Sequence, residues 1–183
     1  MLRLLSLIIF KLYGWKAVDS IKYPSKCIVI AAPHTSNWDF LIGRCYGYIQ
    51  KIKIKYLLKS ELFYPILGFL IKFNGGIPVF RKHNNNLVDQ INTIFNSSDN
   101  LILALAPEGT RKNVTRWKTG FYHMALKSNV PIVLCKLDFK NKKIGIFDKI
   151  HPSGDFEKDM QFIENSYKNV VGKIAENYNP KIF

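Results

Sequence analysis

The sequence predicts an α/β fold with a mixed, mostly parallel central sheet and helices on both faces. Three observations carry that expectation. Short apolar runs recur along the chain, at 27–33, 53–58, 77–80, 101–106, 131–139 and 143–148. Segments with apolar residues at helical spacing separate them, so strand and helix alternate. The last two runs flank a Lys140-Asn141-Lys142 turn, which makes a hairpin and adds an antiparallel pair to an otherwise parallel sheet. With no linker, repeat or low-complexity tract, the 183 residues read as a single domain over 21–183, preceded by a separate N-terminal helix within 1–20.

That N-terminal segment, Met1 to Lys16, is rich in Leu, Ile and aromatics, with basic residues at 3, 11 and 16. Its uncharged run, Leu4 to Phe10, is far shorter than the ~20 residues a spanning helix needs. No small-x-small cleavage pattern follows it. An amphipathic helix lying in a membrane interface fits, with Tyr13 and Trp15 at headgroup level. A helix packed on the domain's own core is the alternative.

The strand at 27–33 leads into Pro33-His34-Thr35-Ser36-Asn37-Trp38-Asp39, the start of a helix over 38–50. A histidine at a strand's end and an aspartate in the next helix's first turn can face each other. The carboxylate then fixes the imidazole tautomer, which is what a general base requires. No G-x-S-x-G elbow is present, so the base acts on a hydroxyl of the substrate itself. The next helix, 60–73, contains Leu62 to Ile71, more apolar than a surface helix needs. Core packing, a groove for a long apolar chain and contact with lipid are all open for it. Asn84-Asn85-Asn86 is a polar loop or cap before a helix at 85–96, whose Leu87, Ile91, Ile94 and Phe95 share one face. The strand at 101–106 runs into Pro107-Glu108-Gly109-Thr110-Arg111, and a helix follows at 119–128. The final helix is expected over 155–178, capped by Asp155 or Ser153, with a stripe from Phe156 through Ile163 to Tyr178 packed on the core.

In an open α/β sheet ligands gather at the carboxyl ends of the strands. His34, Arg81 and Glu108 to Arg111 all follow such ends. Guanidinium groups offer a planar, permanently charged fork for phosphate, and Lys118 adds a point charge. Surface ion pairs with Glu108 are the alternative for either arginine. Glu108, set beside two cations, is expected to orient them with its pKa lowered. Thr110 either contacts ligand or caps a turn, and Gly75, Gly76 and Gly109 allow close backbone approach or positive φ.

Four blocks in order, His34-x4-Asp39, Gly75 to Arg81, Pro107 to Arg111 and Val130 to Val133, resemble the glycerolipid acyltransferase superfamily, lysophosphatidate acyltransferases in particular. Lys59-Ser60-Glu61-Leu62-Phe63, Pro65, Gly68, Lys118, Gly120 and Ala125 extend the likeness, which covers about Cys27 to Leu137. Phe80, Lys112 and Leu134 depart from the family pattern and bear on the identity of the acceptor. The resemblance implies acyl transfer from an acyl-carrier-protein or coenzyme A thioester to a lysophospholipid hydroxyl, most directly lysophosphatidate to phosphatidate. Other acceptors are a lyso-aminolipid or glycerol 3-phosphate. His34 is then the base and Asp39 its partner. Arg81, Glu108, Gly109, Thr110, Arg111 and Lys118 form the substrate site, and backbone N–H groups of a glycine-containing turn hold the oxyanion.

Twenty-seven basic residues against thirteen acidic ones give a net charge of +14. Such a surplus seeks a polyanion. A basic nucleic-acid-binding module would account for the charge but not for His34 and Asp39, and no RRM, KH or zinc-finger pattern is present. The expected partners are an anionic membrane surface, the acyl donor and the lysophospholipid acceptor, not nucleic acid. The expected location is peripheral, on the cytoplasmic face of the cell membrane. Neither a metal nor a cofactor is expected, since the four histidines and three cysteines share no ligand spacing. The cysteines read as small core residues in a reducing compartment.

Overall fold

The computed structural model describes residues 1–79 and 87–183. Thirteen helices and strands of two or more residues, apart from short 3₁₀ turns, make up the described fold. They run α1 (Leu2–Tyr13), β1 (Lys16–Ala17), β2 (Lys26–Ala32), α2 (Trp38–Ile49), β3 (Ile54–Lys59), α3 (Pro65–Phe73) and β4 (Gly76–Val79). After these come α4 (Leu87–Asn96), β5 (Leu101–Leu105), α5 (Gly120–Lys127), β6 (Ile132–Asp138), β7 (Lys143–Ile150) and α6 (Phe156–Tyr167). One seven-stranded sheet has the order β1-β7-β6-β2-β5-β3-β4. All of its pairs are parallel except β6 with β7, as the late hairpin predicts.

Two cores flank the sheet, and strand alternation assigns residues to each. Ile28, Ile30, Leu103, Ile132 and Leu134 face a layer of α4, α5 and α6, packed around Phe95, Phe121, Met160 and Tyr167. Cys27, Val29, Val133, Cys135 and Ile146 face the other way, toward α1 and α2. α3 sits with α1 and α2. A Cβ on Gly76 would strike Ile71 of α3, whereas the next residue, Ile77, packs into the opposite core. Leu134 is fully buried in a central strand, where its side chain fills the core and, unlike a proline, it keeps an N–H for the ladder.

The chain leaves β2 through α2 toward β3 but leaves β5 through α5 toward β6, in the opposite direction and over the opposite face. This reversal opens a crevice above the carboxyl ends of β2 and β5. The His34 and Glu108 turns both begin there.

Four elements differ from the sequence expectation. Lys16–Ala17 forms a short edge strand on β7. Trp15 is 8% exposed, its ring set edge-on to Phe139 at 4.8 Å, so it belongs to the core and not to a headgroup layer. Left-handed Gly14 (φ 72°) ends α1 and turns Trp15 inward. The predicted 60–73 helix breaks into a 3₁₀ turn, Ser60–Leu62, and α3, because Pro65 cannot continue a helix but suits a first turn. α6 ends at Tyr167, not 178, and Asp155 is its cap, accepting the Lys158 N–H at 3.1 Å. Beyond it the chain becomes a strap: Val171 carbonyl accepts the Phe139 N–H, and the Ile174 N–H donates to Thr35 Oγ1 at 3.2 Å. Val170, Val171 and Gly172 are poor helix formers, and the strap satisfies its backbone on the sheet and the His34 turn instead. The expected Asn84-Asn85-Asn86 loop or cap lies outside the described residues.

α1 has two distinct faces. Ser6 and Phe10 are buried against α2 and the sheet, while Leu2, Leu4, Leu5, Ile8 and Leu12 are exposed. No described helix is long and apolar enough to cross a membrane. All three cysteines are buried and free.

Candidate active site

β2 delivers His34 to the crevice, and the first turn of α2 delivers Asp39. His34 Nδ1 lies 3.0 Å from Asp39 Oδ2. The same oxygen accepts the N–H groups of Thr35 at 2.7 Å and Ser36 at 2.8 Å. A carboxylate oxygen taking three bonds is an acceptor only, so Nδ1 is the donor and the neutral ring's lone pair sits on Nε2. Asp39 is 5% exposed, whereas the His34 side chain keeps 25% of its surface. One group is fixed and the other reachable, as base and orienter must be. Thr35 is itself clamped, since the strap's Gly172 lies against it with no room for a Cβ.

Glu108 occupies the opposite side of the turn. Its Oε1 accepts the His34 backbone N–H at 2.7 Å, and its residue exposure is 3%. Oε2 has no hydrogen-bond partner among the described residues, and neither has the nearby Tyr178 hydroxyl. Burial pushes the Glu108 pKa from 4.5 up to about 7, and Asp39's charge adds to the rise. Its hydrogen bonds with backbone N–H groups and the proximity of His34 offset this only in part. The sequence expectation that neighbouring cations lower this pKa is therefore corrected. Glu108 turns inward and holds the His34 main chain. It makes no ion pair with Arg111, which is exposed.

The remaining predicted residues divide. Gly109 adopts φ 67°, and a Cβ there would lie 2.8 Å from Lys118 Cδ. Only glycine meets both conditions, and its absent side chain lets Lys118 lie across the turn into the cleft. The Lys118 N–H fixes that approach by donating to the Pro107 carbonyl at 2.9 Å. The Thr110 hydroxyl accepts the Lys112 N–H at 3.4 Å, a weak turn cap. Arg111 does not line the cleft. Arg81 lies outside the described residues.

The cleft has a volume of about 580 Å³ and runs from His34, Gly109 and Lys118 into the layer between α2 and the sheet. Small side chains make the space: Ala31, Ala104 and Cys135 line it on the α2 side, where the other sheet face carries Ile30, Leu103 and Leu134. Phe40, Gly43 and Arg44 of α2 form the roof. Tyr23 and Tyr46 line it too, hydroxyl to hydroxyl at 3.1 Å, with Tyr46 donating to Asp19 at 2.5 Å. Arg44 reaches the Ile54 carbonyl at 3.1 Å and Asn74 Oδ1 at 2.5 Å, tying α2 to β3 and the end of α3. Sequence reasoning missed this lining. The available signal was the short side chains at alternate positions of β2 and β5, and the glycine in mid-helix at 43.

Several known proteins are similar. The chain is 27% identical to the 1-acyl-sn-glycerol-3-phosphate acyltransferase of Haemophilus influenzae over 75% of its own length and 60% of that protein's. It is 25% identical to the Escherichia coli enzyme of the same name over 74% and 56%. The chain thus spans little more than half the length of these curated relatives. The crystal structure of the 1-acyl-sn-glycerophosphate (LPA) acyltransferase from Thermotoga maritima aligns with a TM-score of 0.62 at 18% identity, covering 91% of this chain and 75% of that one, a likeness of fold. Residues 17–137 match the sequence profile of the Acyltransferase family. That span is well over half of the chain and holds both the histidine–aspartate turn and the glutamate turn that supports it, so the chain belongs to the Acyltransferase family.

Proposed function

We propose that the chain transfers a fatty acyl group from an acyl-carrier-protein or coenzyme A thioester to the free hydroxyl of a lysophospholipid, with lysophosphatidate giving phosphatidate. The observation that carries this is the His34–Asp39 pair, 3.0 Å apart, opening on a deep, mainly apolar cleft. His34 Nε2 takes the acceptor's hydroxyl proton as the oxygen attacks the thioester carbonyl carbon. The tetrahedral intermediate collapses, the C–S bond breaks, and the imidazolium returns the proton to the thiolate. Asp39 stabilises the imidazolium between these steps. No acyl-enzyme forms. Lys118 and Arg81 hold the phosphate, the first from within the cleft and the second by its place in the Gly75 to Arg81 block. The names of the relatives support this acceptor, and the +14 charge supports work at the cytoplasmic surface of an anionic membrane, as a peripheral protein.

The test offers purified protein a panel of lyso-lipids and glycerol 3-phosphate with each donor, with products identified by mass. Phosphatidate from lysophosphatidate is the expected outcome. Product only from a lyso-aminolipid or glycerol 3-phosphate would reassign the acceptor, and no product from any pair would remove the activity.

The acyl chain occupies the cleft. A Cβ on Gly43 meets nothing within 4 Å, so Gly43→Leu fits the backbone and projects into that space. Leucine also favours a helix over glycine by roughly 1 kcal/mol, so the fold should not suffer. The expected result is a selective loss of kcat/KM with long-chain donors and retention with short ones. A uniform fall across chain lengths would show that the chain lies elsewhere.

A further inference from the structure

We propose that α3 is a second membrane-inserting element, which sinks its outer face into an anionic leaflet beside α1 and sets the cleft against the lipid. The proposal rests on the membrane-surface reading above and adds to it a surface, an orientation and a route for the acceptor. Nine residues, Pro-Ile-Leu-Gly-Phe-Leu-Ile-Lys-Phe, make up α3, and only Gly68 among them is buried. Ile66, Phe69 and Phe73 are 83%, 68% and 81% exposed. Their spacing of three and four puts them on one outward stripe. Helix packing in a soluble domain places such residues inward, so a stripe this apolar facing out marks a contact surface.

The stripe continues across one side of the molecule. α1, α2 and α3 share the layer over one sheet face, and α2 is linked to the end of α3 through the Arg44 and Tyr48 bonds to Asn74 Oδ1. Trp38, Phe40 and Leu41 of α2 are exposed between the two outer helices. Of the exposed large apolar side chains among the described residues, only Leu126, Phe162, Ile174 and Phe183 lie outside α1 with its cap Met1, α2 and the stretch from Leu62 to Phe73. The cleft runs beneath this same layer, between Phe40 and Gly43 of α2 and Tyr56 and Leu58 of β3.

Charge selects the occupant. Between Asp39 and Asp89 the sequence holds a single carboxylate, Glu61, against Arg44, Lys51, Lys53, Lys55, Lys59 and Lys72, besides Arg81 and Lys82. No carboxylate precedes Asp19. A second copy docked by two-fold symmetry would bring this basic border against itself. An anionic bilayer instead receives the apolar stripe in its acyl boundary and the lysines at its phosphates. With the layer so placed, a lysophospholipid reaches His34 by lateral movement out of the leaflet and need not cross water.

The experiment uses the full chain and the triple variant Ile66→Glu, Phe69→Glu, Phe73→Glu, none of which lines the cleft. Cosedimentation with vesicles of phosphatidylglycerol and phosphatidylcholine should weaken on the order of tenfold or more. Thermal melting, light-scattering mass and acylation of a short-chain acceptor below its micelle concentration should not change. Unchanged partitioning would overturn the proposal, as would a wild-type dimer that the triple variant splits, since the occupant would then be a second copy. A Phe73→Cys protein carrying a nitroxide gives an independent reading, with the three native cysteines buried. A label positioned below the lipid phosphates is expected, and one that stays in water sinks the idea. Vesicle insertion is read without catalysis. Loss of acyl transfer on every acceptor would thus strike the proposed activity and leave the α3 contact standing.

Discussion

His34→Ala is expected to lower acyl transfer by about 10²–10⁴-fold while the fold survives. The size follows from what the side chain alone supplies, a proton acceptor whose free nitrogen points the lone pair at the cleft. Its side chain is partly exposed, so truncation should move stability by no more than about 1 kcal/mol. Asp39→Asn should lose nearly as much activity for another reason. An amide oxygen can still take the Thr35 and Ser36 N–H groups, so the turn persists. The charge facing the imidazolium is gone, and the amide NH₂ falls where Asp39 Oδ1 is buried with no partner. Turnover with both donors, melting temperature and circular dichroism together check the pair. Wild-type turnover in His34→Ala would remove the base from the mechanism.

Six of the seven strands were legible because each carries its own signal. Runs such as Cys27 to Ala32 are apolar on both faces, and the Lys140-Asn141-Lys142 turn announces the one antiparallel pair. Elements whose fate depends on distant partners were not. Nothing local says that Lys16 and Ala17 will pair with Lys143 and Ile144, or that Trp15 will meet Phe139. The stripe of α6 continues in sequence to Tyr178, but tertiary bonds from Phe139 and Thr35 divert the backbone after Tyr167. Periodicity located the apolar face of α3 but not its direction, because an inward and an outward stripe read alike in sequence.

The site divides along the same line. His34 and Asp39 are five positions apart, and a strand-to-helix turn brings them together with little choice. Glu108 and His34 are separated by 74 positions, and their contact depends on β2 and β5 being parallel neighbours in register, Ile30 opposite Leu105. Charge arithmetic along the chain pairs Glu108 with an arginine. Burial instead pairs it with a backbone N–H. The same distinction separates Lys118 from Arg111: the lysine reaches the cleft because Gly109 leaves room for its stem, while the arginine points to solvent.

Glu108 gives the second large effect, and its sign is opposite to that of most carboxylates. Its pKa in the fold is about 7 against an ordinary 4.5, so between those values the folded chain holds a proton that the unfolded chain releases. Stability then falls as pH rises through the window and levels off above it. The displacement corresponds to roughly 3 kcal/mol. Glu108→Gln keeps an oxygen for the His34 N–H and removes the charge. It should match wild type near pH 5 and exceed it at pH 8, with the difference between their urea midpoints opening across that interval. Glu108→Ala leaves the His34 N–H without its acceptor and should lie about 1–3 kcal/mol below Glu108→Gln at every pH, since neither variant titrates there. Activity separates positioning from chemistry. If Glu108 acts by holding His34 in place, Gln retains most of kcat while Ala loses it, because the base drifts from Asp39 and the acceptor hydroxyl. A Gln variant as inactive as His34→Ala would mean that the carboxyl group itself takes part in the reaction. Parallel midpoint curves for wild type and Gln would mean that it ionises normally in the fold.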